Sequence, residues 1–404
     1  MSAALREGAA AQDVAAGCRA RIAARDPELH AWVRLSEQEP VVDGPLRGLP
    51  IGVKDVIDTA DLPTECGSAV HRGRRPPEDA ACVTLLRRAG ATVLGKTVTT
   101  ELASFSPGPT RNPHDPAHTP GGSSSGSAAA VADGMAPVAL GTQTAASMVR
   151  PASFCGVVGY AASRGDLPMR GVNPLAPGLD TLGVFAREVA DVALVRSLLL
   201  RASVAPVQAP AAPRLAVWEA PELEAPMAAV LASAAESLSD AGAEVVRPDL
   251  GAHVAELTTL HERVMAYEVA RTLVWEDERR ELVNAPLVAL IDEGLGIAPD
   301  EARRMRLRVE ELRGLIGAAV EGSDAVLAAA ASGPAPAGLD STGSPAQSRP
   351  WQVLGLPAVA LPAGMSDGGL PLGVQLVGRR FCDDDLLGLA AWAEGLLPPA
   401  VRPW

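Results

Sequence analysis

Between residues 106 and 127 the chain runs through Gly, Ser, Pro, Asn and His with no apolar period, then passes straight into SAAAVA at residues 127–132. A flexible linker shares the first composition but not the second, because linkers are not normally followed at once by a small-residue helix suited to close packing. This segment is therefore read as a long loop leading into a packed helix. A short strand is expected at 137–141, and a second turn-rich stretch covers 142–151. Two loops thus flank one helix and one strand.

The chain has 404 residues, 48% hydrophobic and 21% charged, enough for a large core and for one big domain or two moderate ones. Disordered and collagen-like classes are excluded. No stretch reaches the roughly 18 apolar residues of a spanning helix. The N-terminal MSAALREGAAAQDV has no apolar core with a cleavage site, so a cytoplasmic protein is expected. The net charge is −13, with 35 basic residues against 48 acidic. That leaves no cationic footprint for nucleic acid or an anionic membrane. Five cysteines, Cys18, Cys66, Cys82, Cys155 and Cys382, form no CxxC pair, so neither a disulfide framework nor a zinc site is expected.

Residues 1–45 read as Ala-rich helices broken at Asp26-Pro27, and 46–57 as a strand entering a polar turn. A helix is expected at 83–89, capped by Gly90, then a strand at 91–94. Residues 46–203 hold the lysine- and serine-bearing motifs. The Pro/Ala run at 204–213 marks a change of texture. Beyond it, 204–322 reads as strands at 214–219 and 243–248, a helix at 221–241 and long helices over 252–322. Residues 323–404 add strands near 324–330, 357–363 and 372–378. The last strands are short and Gly-flanked, as completions of a shared sheet, which favours one domain over two.

Two literal motif matches fail on context. GATVLGKT, residues 90–97, fits the phosphate-loop pattern, yet a helix precedes Gly90 and the would-be loop is strand-like. Gly122-Ser123-Ser124-Ser125-Gly126 fits a nucleophile elbow, but Thr119-Pro120-Gly121 replaces the required strand, and only His253 and His261 follow it. Lysine is rarer than histidine here: Lys54 and Lys96 stand alone among 35 basic residues. Only lysine, not arginine, can shed its proton when desolvated. Lys54 lies between an apolar strand and a polar turn, and a Ser–Lys pairing is an attested substitute for Ser-His-Asp.

A distributed pattern absorbs these residues: Gly52-Val53-Lys54-Asp55, then residues 121–132 (GGSSSGSAAAVA), then 141–151 (GTQTAASMVRP). In this the chain resembles the amidase signature family, with later blocks at 155–159, 178–191 and 350–378. The resemblance implies a single large α/β domain, a mixed twisted β-sheet covered on both faces by α-helices. It implies hydrolysis of a linear carboxamide without a cofactor: Ser147 as nucleophile, Ser123 as a bridging serine after a cis peptide, and Lys54 as base. Backbone N–H groups of Thr144, Ala145, Ala146 and Ser147 would hold the oxyanion. Ser124, Gln143, Arg150 and Asp180 would bind substrate or position the triad. A homodimer is the assembly implied.

The sequence also departs from the family. Ala145-Ala146 replaces Gly-Gly, which would strain the turn if Ala146 needs positive φ. Gln143, with Arg150 three residues after the nucleophile, resembles the malonamidase and biuret-hydrolase branch, in which that Arg could grip a substrate carboxylate bidentately, with a structural ion pair as the alternative. A catalytically weakened binding protein and an amidotransferase A-type subunit remain open. His114 and His118 lie in a Pro-broken loop with no third ligand, so no metal is expected. Cys155, between apolar neighbours, reads as a packed thiol. Twelve aromatic residues suit a small or polar substrate pocket better than an aromatic-lined channel.

Overall fold

Eleven strands share one mixed sheet in this computed structural model, which describes residues 11–38, 43–203, 208–399 and 402–403. They are β1 (Trp32–Leu35), β2 (Pro50–Lys54), β3 (Thr92–Thr97), β4 (Val138–Gln143), β5 (Val158–Ala161), β6 (Thr181–Ala186), β7 (Arg214–Trp218), β8 (Glu244–Val246), β9 (Ala325–Ala329), β10 (Ala358–Met365) and β11 (Pro371–Gly378). Their spatial order is β1-β3-β2-β4-β6-β5-β10-β11-β9-β7-β8. β2 runs parallel to β3 and β4, and β7 to β8 and β9; the remaining pairs are antiparallel. Every residue of β2 to β6, β9 and β11 is buried, which is why these strands are mostly small and apolar, with Lys54, Lys96, Gln143 and Gln375 as the long polar exceptions. The edge strands β1 and β8 are partly exposed.

The helices are α1 (Ala11–Leu29), α2 (Ala81–Arg88), α3 (Ser125–Ala132), α4 (Val149–Cys155), α5 (Val189–Leu199), α6 (Ala225–Asp240), α7 (Gly251–Thr272), α8 (Val274–Asp277), α9 (Ala285–Leu295), α10 (Pro299–Ala319), α11 (Arg349–Val353) and α12 (Asp383–Glu394). Two glycines of β11 show that both faces are covered. A Cβ on Gly373 would lie 3.1 Å from Ser153 of α4, and one on Gly378 would lie 3.1 Å from Leu386 of α12. The two positions are an odd number of residues apart, so they face opposite sides of the sheet. β7, β8 and β9 join the same sheet as the motif-bearing strands, so the chain is a single large α/β domain.

Several elements differ from the sequence expectation. α1 is not broken at Asp26-Pro27; it continues to Leu29, and Asp26 Oδ1 then accepts the N–H of Ala31 at 2.6 Å. Pro27 falls in the last turn, where little helix remains to be interrupted. The expected strand at 46–57 shortens to β2, because Leu46 and Gly48 turn back to donate to the carbonyls of Ala89 and Gly90. The strand expected at 91–94 extends to Thr97 and carries Lys96 inside the sheet. β1 lies inside the 1–45 stretch expected to be helical; Trp32–Leu35 instead pairs antiparallel with β3 as an edge strand. Part of the 204–213 connector, residues 204–207, lies outside the described residues.

Candidate active site

β2 and β4 are adjacent and parallel, with Val53 opposite Leu140, so their carboxyl ends open side by side. In α/β sheets that is where ligands are received. Lys54 is the last residue of β2, and Ser147 lies in the turn between β4 and α4. Ser123 stands just before α3, after Gly121, whose φ of 81° favours glycine. The Gly122–Ser123 peptide is cis, as the resemblance implied. Lys54 Nζ lies 2.7 Å from Ser123 Oγ, which lies 2.9 Å from Ser147 Oγ. The structure thus brings the three expected residues into one unbroken chain. Lys54 is 0% exposed and Ser123 1%, while Ser147, at 7%, is the most accessible of the three.

Among the described residues no carboxylate pairs with Lys54; its other partner is Thr142 Oγ1 at 2.8 Å. Burial therefore pushes the ammonium down to about 7, with a smaller opposing pull from Asp180. A lysine brought into that range has a neutral form with a free electron pair at neutral pH, as a general base requires. The other lysine has a different use. Lys96 Nζ lies 3.3 Å from Asp55 Oδ1 and donates to Ile57 O and Thr64 Oγ1, both at 2.6 Å, so it ties down the turn that follows Lys54.

The expected positioning residues all meet the triad segments. Ser124 Oγ donates to Thr142 O at 3.2 Å. Gln143 Oε1 accepts the N–H groups of Met148 and Val149, capping α4 directly after Ser147, and its amide nitrogen donates to Gln352. Thr144 Oγ1 donates to Asp180 Oδ1 at 2.6 Å, while Asp180 Oδ2 accepts from Leu175 and Ala176 N. Burial pushes the Asp180 carboxyl up to about 6.

Arg150 is buried and has no acidic partner among the described residues, so the ion-pair alternative does not hold. Its guanidinium donates to Gly122 O at 2.7 Å, Thr342 Oγ1 at 2.9 Å and Gly343 O at 2.5 Å. Burial, then Arg349, lowers it to about 9. Only Nε is without a partner. A bidentate carboxylate grip would have to displace one of the contacts that hold the Gly122–Ser123 turn.

Neither Ala145 nor Ala146 takes positive φ, so the strain expected from the missing glycines is absent. Both alanines are buried, and the N–H groups of residues 144–147 donate to no backbone carbonyl among the described residues. Successive amides without main-chain acceptors are what an anion-binding turn is built from.

Sequence reasoning missed one contact to this turn. His261, on α7, is completely buried with Nε2 2.8 Å from Thr144 O. A helical period was the available signal: Leu257, Val264 and Met265 share its buried face. The remaining singled-out residues lie elsewhere. His114 Nε2 meets Cys155 O, and His118 pairs with Asp115. Cys155 is buried, its thiol pushed well above the ordinary range. A cavity of about 430 Å3 between Trp218, Val254, Thr258 and Gln347 is lined by none of the triad residues.

The profile described as Amidase matches residues 18–387. Among curated proteins, the A-type subunit of the glutamyl-tRNA(Gln) amidotransferase of Roseiflexus castenholzii is 31% identical over 85% of this chain and 81% of its own length. That of Symbiobacterium thermophilum is also 31% identical, over 95% and 92%. Among solved structures, an amidase superposes with a TM-score of 0.89 at 28% identity, covering 98% of both chains. A 6-aminohexanoate cyclic dimer hydrolase superposes at 0.89 with 25% identity, covering 99% of this chain and 96% of its own.

Proposed function

Since this chain belongs to the amidase signature family, we propose that it is an amidohydrolase that cleaves a small linear carboxamide through an acyl-enzyme on Ser147. The reading rests on one observation, the continuous Ser147–Ser123–Lys54 chain ending on a lysine that burial brings to about 7. Ser147 Oγ bonds to the carbonyl carbon as its proton passes to Ser123, and the proton of Ser123 passes to Lys54. The oxyanion is held by the N–H groups of residues 144–147. The protons then return through Ser123 to the amide nitrogen, the C–N bond breaks, and ammonia or an amine leaves. Water, deprotonated along the same chain, attacks the ester, releases the carboxylate and restores Ser147.

Arg150 and Gln143 are assigned to holding the two serine turns. The narrower branch reading, malonamidase or biuret-hydrolase-like, therefore loses the carboxylate grip it drew from Arg150. The amidotransferase A-type alternative is favoured by the curated relatives, which are by name components of a glutamyl-tRNA(Gln) amidotransferase. No helix among the described residues is long and apolar enough to cross a membrane. The five cysteines are free, which supports a reducing, cytoplasmic setting.

A small fluorophosphonate followed by peptide mass spectrometry tests the chemistry without a known substrate. One adduct on Ser147, lost in Ser147→Ala and in Lys54→Met, is expected. A folded wild-type protein that takes no adduct there would sink the reading. Amide hydrolysis by the isolated chain then separates the amidohydrolase from the amidotransferase reading.

A further inference from the structure

Thr144 belongs to the turn that carries Ser147, and both of its polar side contacts come from outside that turn. Its hydroxyl is taken by Asp180 and its carbonyl oxygen by His261, 2.8 Å from Nε2. A carbonyl can only accept, so Nε2 carries the hydrogen. Nδ1 is buried without a partner, and burial holds the ring down to about 3, so the imidazole is neutral at any working pH. His261 stands far from every serine of the site in sequence and hydrogen-bonds to none of them, so it is not a base for Ser147.

Thr144 C=O and Ala145 N–H are the two ends of one peptide group. A donor placed on the oxygen draws electron density toward it, and the N–H at the other end becomes a stronger donor, as in any hydrogen-bonded chain. We propose that His261 is a positioning residue for the reaction: by donating Nε2–H to Thr144 O it fixes the oxyanion turn and polarises the peptide whose N–H, on Ala145, meets the developing negative charge. The inference rests on the acyl-enzyme reading above. It also gives the motif-free segment around α7 a direct part in rate.

Two near-isosteric variants test it. His261→Gln keeps an N–H close to the Nε2 position, and His261→Met fills the same space without one. Labelling of Ser147 by the fluorophosphonate, whose phosphoryl oxygen occupies the oxyanion position, is followed by intact mass. Removing a direct oxyanion donor costs about 100-fold or more in rate, and a donor acting through one peptide is expected to cost roughly tenfold. The Gln variant should therefore label within about threefold of wild type and the Met variant roughly tenfold slower. The apparent pKa of labelling, set by Lys54, should be the same in all three. Equal rates for Gln and Met would overturn the inference, as would slowing that tracks thermal stability in both. If the Met variant does not fold, wild-type protein with 15N-labelled histidine decides. The His261 Nε2–H resonance should move when Ser147 is phosphonylated, and an unmoved resonance would equally overturn the inference. A wild type that takes no adduct defeats the acyl-enzyme reading itself, and this inference with it, whereas a labelled wild type with equal variants defeats the inference alone.

Discussion

Replacing Lys54 by Met should make the protein more stable at neutral pH and change how its stability depends on pH. An ordinary lysine titrates at 10.5; this one is brought to about 7 by burial. Between those values the unfolded chain binds a proton here that the folded chain does not. Folding stability therefore rises with pH through that window, and the cost of burying Lys54 is complete below 7 and gone above 10.5. At pH 7 the cost is on the order of 4 kcal/mol, and it falls to about 2 kcal/mol at pH 9. Methionine removes the titration while keeping most of the volume. It leaves Thr142 Oγ1 and Ser123 Oγ short of a partner, which offsets about 1–3 kcal/mol. The net expectation is a variant about 1–3 kcal/mol more stable than wild type at pH 7, an advantage that shrinks by about 2 kcal/mol by pH 9. Urea unfolding of both proteins at several pH values reads the difference, in which titrating groups that do not interact with Lys54 cancel. Parallel stability curves would refute the reasoning, because they would mean that Lys54 stays charged in the folded protein and has no electron pair to offer.

Ala146→Gly should change the Ser147 labelling rate by less than about threefold and cost about 0.4–1 kcal/mol through the freer unfolded chain; a large gain in rate would show that the alanine misaims the turn after all. Arg150→Met releases the carbonyls of Gly122 and Gly343, and unfolding titrations should register a loss of about 2–4 kcal/mol together with slower labelling. Lys96→Met strands the buried Asp55 carboxylate and should cost about 3–5 kcal/mol. Adding Asp55→Asn should recover much of it, and no recovery would mean that the ion pair is not what holds the turn after β2.

Lys54 was legible from its residue type, one of two lysines among 35 basic residues, whereas Ser123 and Ser147 were placed by the family resemblance, carried by short Gly- and small-residue-rich stretches. The short buried runs announced strands, but the mixed character of the sheet was an expectation carried by the family resemblance alone. The supports were harder to read, since each joins segments distant in sequence. Gln143 meets Gln352 across 209 positions, and His261 meets Thr144 across 117. No local pattern encodes such pairs. The Ala145-Ala146 reading turned on a single dihedral angle, which composition does not reveal: glycine permits positive φ but does not prove that the turn uses it. Arg150 was likewise read as gripping a carboxylate or forming an ion pair, and nothing local in the sequence said that main-chain carbonyls would satisfy it.

The order of the strands bears on how such a chain can be inherited and recombined. β9, β7 and β8 form one end of the sheet, remote from β2 and β4, and are built with α6 to α10 from a stretch that carries none of the motifs. Among the described residues, the hydrogen bond from that stretch to residues 142–150 is the one from His261. That stretch can therefore diverge while the reacting turn stays fixed, and a chimera that grafts residues 214–330 from a relative should retain the chemistry provided that the incoming helix brings a donor for one carbonyl oxygen.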